Sequence, residues 1–476
     1  MLEQELLKKL FQQHFNEEAL EIKALKGDGS DRTVYRLTSQ NNTAIGVHGK
    51  NRKENEAFIS FSKTLAAQKI NVPEIYLSDL DQHVYLEEDL GDELLFTWLD
   101  KIRKEQNSFS PEIIEMYKKV LTILPTMQAV AGQKINYGLC YQHIEFAHES
   151  MLWDMHYFKW NFLNLFYKDN IDNELLEKDF NALADVLIQE DRNFFMYRDF
   201  QSRNIMLKNN EPYFIDYQSG RRGALQYDLA SLLYDAKAKI PQETREELLN
   251  FYLGEVNKII KVEPERFKKY FYGFVLIRIM QALGAYGFLG IVKNKPNFLS
   301  SIPLAIENLK TIQKQCSFLA DLPSLNKIIS RLCEIDSWQE SMPENKKLTV
   351  KIFSFGFKYP ERPLDEAGNG GGFVFDCRGL ANPFWEEKLK KLSGLDDDIK
   401  IFLDSKERVR NFLLHVYELI DLTILSYQTK GYTDLMVSFG CTGGLHRSVY
   451  CAERLAEHLK NKGIKVSVEH LALKNL

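Results

Sequence analysis

Cysteine and proline are sparse in this chain, six and thirteen in 476 residues. Cys140, Cys316, Cys333, Cys377, Cys441 and Cys451 are far apart and include no Cys-x-x-Cys pair. That spacing argues against a zinc site or a disulfide framework and makes reduced thiols in the cytoplasm the expectation. No internal repeat is visible, and no uninterrupted apolar run reaches the length of a membrane span. The most apolar stretch, residues 270–292, is interrupted by Arg278 and Gln281 and diluted by four glycines, so a buried helix is expected there. The first residues lack the continuous apolar segment of a signal peptide. Glu3 and Glu5 alternate with Leu2, Leu6 and Leu7, as in an amphipathic helix. A large excess of either charge is also missing: 61 Lys and Arg face 66 Asp and Glu, a net charge of −5. Such a balance argues against a wholesale nucleic-acid or anionic-membrane binder, which is usually basic.

What is present is an ordinary globular composition, 45% hydrophobic and 27% charged. The length calls for two or three domains of about 100–200 residues each. Strand-like runs at Thr33–Thr38, Thr43–Val47 and His83–Glu88, with one helical segment at Asn51–Gln68, predict a small mixed lobe over about residues 1–90. From there to about residue 320 the patterns are long and helical, interrupted by a short strand-rich patch between Phe194 and Tyr217. Residues 321–347 carry Pro323, Pro343 and a polar run and read as a linker. Residues 348–476 alternate strands (Leu348–Phe355, Phe373–Cys377, Leu435–Phe439, Lys465–Leu471) with helices and predict a small α/β domain.

Two constellations carry chemistry. In the first, Tyr197-Arg-Asp-Phe-Gln-Ser-Arg-Asn-Ile-Met206 is followed by Pro212-Tyr-Phe-Ile-Asp-Tyr-Gln218. Phosphoryl transfer from ATP needs an acceptor hydroxyl held in line and a metal to neutralise charge on the phosphates. Asp199 can orient a hydroxyl and accept its proton, and Asn204 and Asp216 can supply hard oxygen ligands to Mg2+. Upstream, glycines at Gly27 and Gly29 let backbone N–H groups approach phosphates, and Ser30 adds a hydroxyl donor.

These motifs make residues 1–320 resemble the aminoglycoside phosphotransferase family of kinase-like enzymes. Arg198-Asp-Phe-Gln-Ser-Arg-Asn-Ile-Met and Ile215-Asp-Tyr-Gln are most similar to the bacterial kinases that act at the anomeric hydroxyl of N-acetylmuramate and N-acetylglucosamine. Gly223–Asp235 and the segment from Arg278 to Phe288 extend the similarity. The resemblance implies a two-lobed α+β protein-kinase-like domain, ATP and Mg2+ as cofactors, and Asp199 as catalytic base. It implies Asn204 and Asp216 as metal ligands and Asp228 as a brace for the catalytic loop. Leu86–Gly91 resembles the hinge between lobes, with Glu88 placed to read the nucleotide base. The family pattern also calls for a lysine on the third strand. Here that strand reads Ala44-Ile-Gly-Val-His-Gly-Lys50, which leaves Lys50 past its end, His48 within it, and Glu54 or Glu56 to face either. Lys50 is the phosphate-holding candidate on this basis.

In the second constellation a buried-strand run is followed by Gly440-Cys-Thr-Gly-Gly-Leu-His-Arg-Ser448 and a helix. A strand, a glycine-rich turn and a helix N-terminus form an anion site, to which Thr442, His446, Arg447 and Ser448 add donors. The letters also satisfy Cys-x5-Arg-Ser, in which Cys441 would be the nucleophile of a cysteine phosphatase. With Phe353–Tyr359 and Phe375–Trp385, this segment resembles the C-terminal domain of RapZ-type RNase adapter proteins. That resemblance implies a phosphosugar ligand held by Lys358, Arg378, Asn382, Cys441, Thr442, Gly443, Gly444, His446, Arg447 and Ser448, and RNA as a further partner. From Lys346 onward the chain has 20 Lys and Arg against 17 Asp and Glu, a local charge of +3 that is too small to argue RNA binding by itself.

The combined expectation is an ATP- and Mg2+-dependent kinase for a sugar or amino-sugar hydroxyl, fused to a phosphosugar-sensing α/β domain. Two alternatives stand beside it. One is an RNA-binding adapter whose kinase-like half is a degraded sensor. The other is a bifunctional kinase and phosphatase using Cys441.

Overall fold

In a computed structural model the described residues are 2–25, 32–106, 109–293, 295–335, 338, 348–365, 371–429 and 432–473. Gly27, Gly29 and Ser30, residues 336–337 and 339–347 of the expected linker and part of the loop before Gly372 lie outside them. Pro323–Cys333 of that expected linker instead forms a helix with Leu325, Ile328, Ile329 and Leu332 buried. The chain forms two compact units. The first comprises Met1–Asn161, Asp169–Tyr286 and Ser300–Glu334, and the second Phe162–Lys168, Gly287–Leu299 and Ile335–Leu476.

The first unit opens with a five-stranded antiparallel sheet: β1 (Glu21–Leu25), β2 (Thr33–Thr38), β3 (Thr43–His48), β4 (Ile75–Asp79) and β5 (Val84–Glu88), in the order β1-β2-β3-β5-β4. Alternating side chains of β2, β3 and β5 turn Tyr35, Leu37, Ala44, Val84 and Leu86 to one face, where Leu7 and Phe11 of the Leu2–Phe15 helix cover them. The Arg52–Ala67 helix starts where Asn51 caps it, its side-chain oxygen accepting from the Glu54 N–H at 3.4 Å.

Helices dominate the remainder of this unit. Among them lie two antiparallel strand pairs, β6 (Phe194–Met196) with β9 (Arg221–Gly223), and the hairpin of β7 (Ile205–Lys208) with β8 (Glu211–Phe214). The Pro264–Gly287 helix belongs to a segment long and apolar enough to cross a membrane by length and composition alone. Phe274, Val275, Leu276, Ile277, Met280 and Leu283 are buried in the protein, as expected for a core helix.

The second unit is a parallel four-stranded sheet: β10 (Thr349–Gly356), β11 (Gly372–Asp376), β12 (Asp434–Cys441) and β13 (Lys465–His470), in the order β11-β12-β10-β13. Leu413, Val416 and Ile420 of the Glu407–Thr429 helix and Leu455, Ala456 and Leu459 of the Arg447–Asn461 helix share its core. A kinase-like α+β domain followed by a separate α/β domain is thus the architecture expected from the sequence. Two short stretches inside the helical region belong to the second unit. Phe162 and Phe166 set their rings 5.8 Å and 6.3 Å from that of Trp338, contacts no local pattern announces.

Candidate active site and a second glycine-rich cradle

The loop between β6 and β7 carries Asp199 and Asn204, and Asp216 follows β8. Backbone pairing of the two segments is direct: the Ile215 N–H donates to the Asn204 carbonyl at 3.1 Å. Tyr197, fully buried beneath them, donates its hydroxyl to the carbonyls of Asn204 (3.2 Å) and Ile215. The Asn204 Nδ2 donates to the Asp199 carbonyl at 2.8 Å, which leaves its Oδ1 as the acceptor end of the amide. Asp216 holds φ at +69° and Arg198 at +86°, a backbone region side chains rarely adopt and one often found at functional sites.

Arg198 is fixed by a bidentate ion pair with the buried Asp154, at 2.8 Å and 2.6 Å, and by the Tyr227 hydroxyl at 2.5 Å. Asp228 accepts from the N–H groups of Tyr197 (2.8 Å) and Arg198 (3.1 Å). Burial raises the Asp228 carboxyl to about 7, against the pull of those hydrogen bonds. Arg278, anchored on Ser231 Oγ at 2.9 Å, brings its guanidinium to 3.8 Å from Asp199.

A second cation reaches the site from the sheet. Arg32, just before β2, places Nη2 at 2.5 Å from Asp216 Oδ1 and Nε at 3.4 Å from Glu54, and donates to the Tyr85 hydroxyl at 3.5 Å. Burial opposes its charge, but Tyr85, Asp216 and Glu54 more than offset it, and the net shift is upward. Glu87, on β5, is half-buried with its Oε2 buried and unpartnered. Burial pushes it up to about 8 while Arg32 pulls the other way.

In the second unit, Gly444 holds φ at +76°, and a side chain there would meet Gly356 N at 2.7 Å and the Ala472 Cβ at 2.5 Å. The glycine therefore lets the turn lie against the end of β10. Cys441 is buried, its Sγ accepting from the Gly444 N–H at 3.2 Å and lying 3.1 Å from Ser448 Oγ. Arg447 donates to the carbonyls of Arg378 (2.8 Å) and Leu380 (3.2 Å) and to Thr442 Oγ1 (3.3 Å). His446 is buried with Nε2 unpartnered, and burial lowers its pKa.

Residues 21–266 match the phosphotransferase enzyme family. The chain belongs to that family. Residues 348–474 match the RapZ C-terminal domain. The nucleotide-binding protein of Fervidobacterium nodosum is 39% identical over 170 residues, 36% of this chain and 57% of the relative. The RNase adapter protein RapZ of Escherichia coli is 32% identical over 174 residues, 37% of this chain and 58% of the relative. The chain spans less than two thirds of the length of these curated relatives. Among solved structures, choline kinase LicA from Streptococcus pneumoniae is 16% identical with a TM-score of 0.41, covering 60% of this chain and 90% of that one. ADP-bound aminoglycoside phosphotransferase APH(2'')-Ib is 13% identical with a TM-score of 0.43, covering 63% and 96%.

Within the phosphotransferase domain, Asp199, Asn204 and Asp216 are brought together by the paired segments, and Asp228 braces the loop from behind. Lys50 does not join them: it is exposed beyond the end of β3, and His48 stays within the sheet opposite Thr33 and Val84. The cation on Asp216 is Arg32, which sequence reading passed over because it precedes the strand searched for a lysine. Glu54 is the helix glutamate that meets this cation. Glu88 also departs from expectation. Its N–H is spent on the Glu74 carbonyl at 2.9 Å and its carboxylate on Lys208, so that amide is unavailable to a base.

In the RapZ-type domain, Cys441, Thr442, Gly443, Gly444, His446, Arg447 and Ser448 share one turn, with the Lys358 N–H donating to the Thr442 carbonyl at 3.2 Å. Arg447 spends Nη1 on the carbonyls of Arg378 and Leu380 and turns Nη2 to Thr442 Oγ1, while its buried Nε has no partner among the described residues. The Arg378 side chain pairs with Asp376 at 2.6 Å, and Asn382 caps its own turn, its Oδ1 accepting from the Phe384 N–H at 3.4 Å.

Proposed function

We propose that this phosphotransferase transfers the γ-phosphoryl group of ATP to a hydroxyl of a sugar or amino sugar, the anomeric hydroxyl included, and that its C-terminal domain senses a phosphosugar. The convergence of Asp199, Asn204 and Asp216 on two paired segments carries the reading. Asp199 orients the acceptor hydroxyl and accepts its proton as the oxygen attacks phosphorus. Arg278, 3.8 Å away, steadies that carboxylate.

Among the described residues no group of three or more His, Cys, Asp or Glu stands together as a metal site. Two oxygen ligands nonetheless suit Mg2+, which is usually held by one or two protein groups together with substrate phosphates. Asn204 Oδ1 and the Asp216 carboxylate are that pair, and bound Mg2+ supplies charge neutralisation at the phosphates. The sugar acceptor rests on the likeness of the catalytic loop to the anomeric amino-sugar kinases and on its fusion to a RapZ-type domain. The reading places the protein in the cytoplasm, in keeping with six cysteines that form no disulfide.

The test is ATP consumption by the purified protein across a panel of N-acetylated amino sugars and other sugars. Turnover is expected with at least one of them, and Asp199→Asn is expected to lose about 10²–10⁴-fold in turnover. Failure across the panel, with no nucleotide binding, overturns the reading.

The name of the Escherichia coli relative, RNase adapter protein, supports a second reading. In it the C-terminal domain binds small RNA or an RNase and the kinase-like half only reports a ligand. Filter binding of small RNAs at physiological salt separates the two.

A further inference from the structure

We propose that Arg32 is the cation that holds the nucleotide's phosphates in this chain, and that it passes to them from Asp216 when the nucleotide brings a divalent cation. The inference rests on the kinase reading and goes beyond it by assigning the clamp that the third strand lacks.

The geometry is specific. Arg32 stands with its side chain 11% exposed and its guanidinium on the Oδ1 atom of the carboxylate that would ligate the metal. Gln218 Nε2 donates to the same oxygen at 2.9 Å. Two cations drawn to one carboxylate repel each other, so the guanidinium at 2.5 Å weakens the hold of Asp216 on a divalent cation, and a bound cation weakens the ion pair. The ion pair and the metal therefore compete for Asp216.

The surroundings allow Arg32 to leave Asp216 without being stranded. Glu54 lies against Nε at 3.4 Å, and Glu87, half-buried with Oε2 unpartnered, is a second acid within electrostatic reach. The arginine stem runs alongside Gly49: a side chain there would meet Asn55 Oδ1 at 2.4 Å first, and Arg32 Cγ and Cδ at 3.2 Å and 3.3 Å. Released from Asp216, the planar fork presents paired N–H donors, the geometry that suits phosphate oxygens better than a lysine does.

Two affinities of the full-length protein test this, each measured for the native chain, Arg32→Gln and Arg32→Lys. One is for ADP without metal, by calorimetry. The other is for Mn2+ without nucleotide, by the electron paramagnetic resonance signal of the free ion. The inference expects Arg32→Gln to weaken ADP binding by about tenfold or more, with Arg32→Lys in between. It also expects Arg32→Gln to bind Mn2+ several-fold more tightly, because Asp216 is freed. Unchanged ADP affinity overturns the inference. So does a loss of both affinities, which would make Arg32 only a scaffold for the site. Failure of the native chain to bind either probe removes the kinase reading itself, a result distinct from both.

Discussion

Glu87 lies in β5 with one carboxylate oxygen buried and unpartnered, and burial raises it from the ordinary 4.5 to about 8. An acid with a raised folded-state pKa binds its proton more tightly when folded. Stability therefore falls as pH climbs from about 4.5 towards 8. Urea unfolding midpoints across that window should show the decline, and Glu87→Gln should flatten it. Asp228, raised to about 7, adds a component with the same sign. Asp154 is buried and holds Arg198 at two points. Asp154→Ala strands a buried guanidinium and is expected to cost about 3–5 kcal/mol in urea unfolding. Asp199, Asn204 and Asp216 were legible as a pattern because the segments that align them lie close in sequence. Arg32 was not, because it meets Asp216 across 184 positions.

At the scale of elements, β2, β3 and β5 could be read from their strand-like composition and apolar alternation. β1 and β4 were passed over. Their residues are largely exposed or half-buried, and each is an edge strand with little apolar alternation to announce it. The Arg52–Ala67 helix was visible as a helical segment, but not that it would carry Glu54 to a distant arginine. In the parallel sheet, the turn after β12 depends on Gly444. Gly444→Ala puts a Cβ 2.7 Å from Gly356 N in a left-handed backbone, at a cost on the order of 1–3 kcal/mol. The expected result is a lower melting temperature for the second unit and weaker phosphosugar binding, read by differential scanning calorimetry with and without ligand.

For the whole molecule, two units with separate candidate sites predict that ligands act on different parts of the melting profile. ADP should raise the transition of the phosphotransferase unit, and an amino-sugar phosphate that of the RapZ-type unit. Each rise should approach about 2.7 kcal/mol at a hundred times the dissociation constant. A single transition that both ligands raise equally would argue against separate sites. The sequence alone determined the class of each half, because the carrying motifs are contiguous and their chemistry needs fixed residue types at short spacing. It also carried many of the strands and helices around those motifs, through strand-like composition and apolar periodicity. Tertiary structure decided which cation faces Asp216, that Arg447 Nη1 is spent on backbone carbonyls, and that 162–168 and 287–299 belong to the second unit. Each of these depends on groups far apart in the chain meeting in a buried place. There, desolvation selects partners by distance and charge, and no local periodicity records the choice.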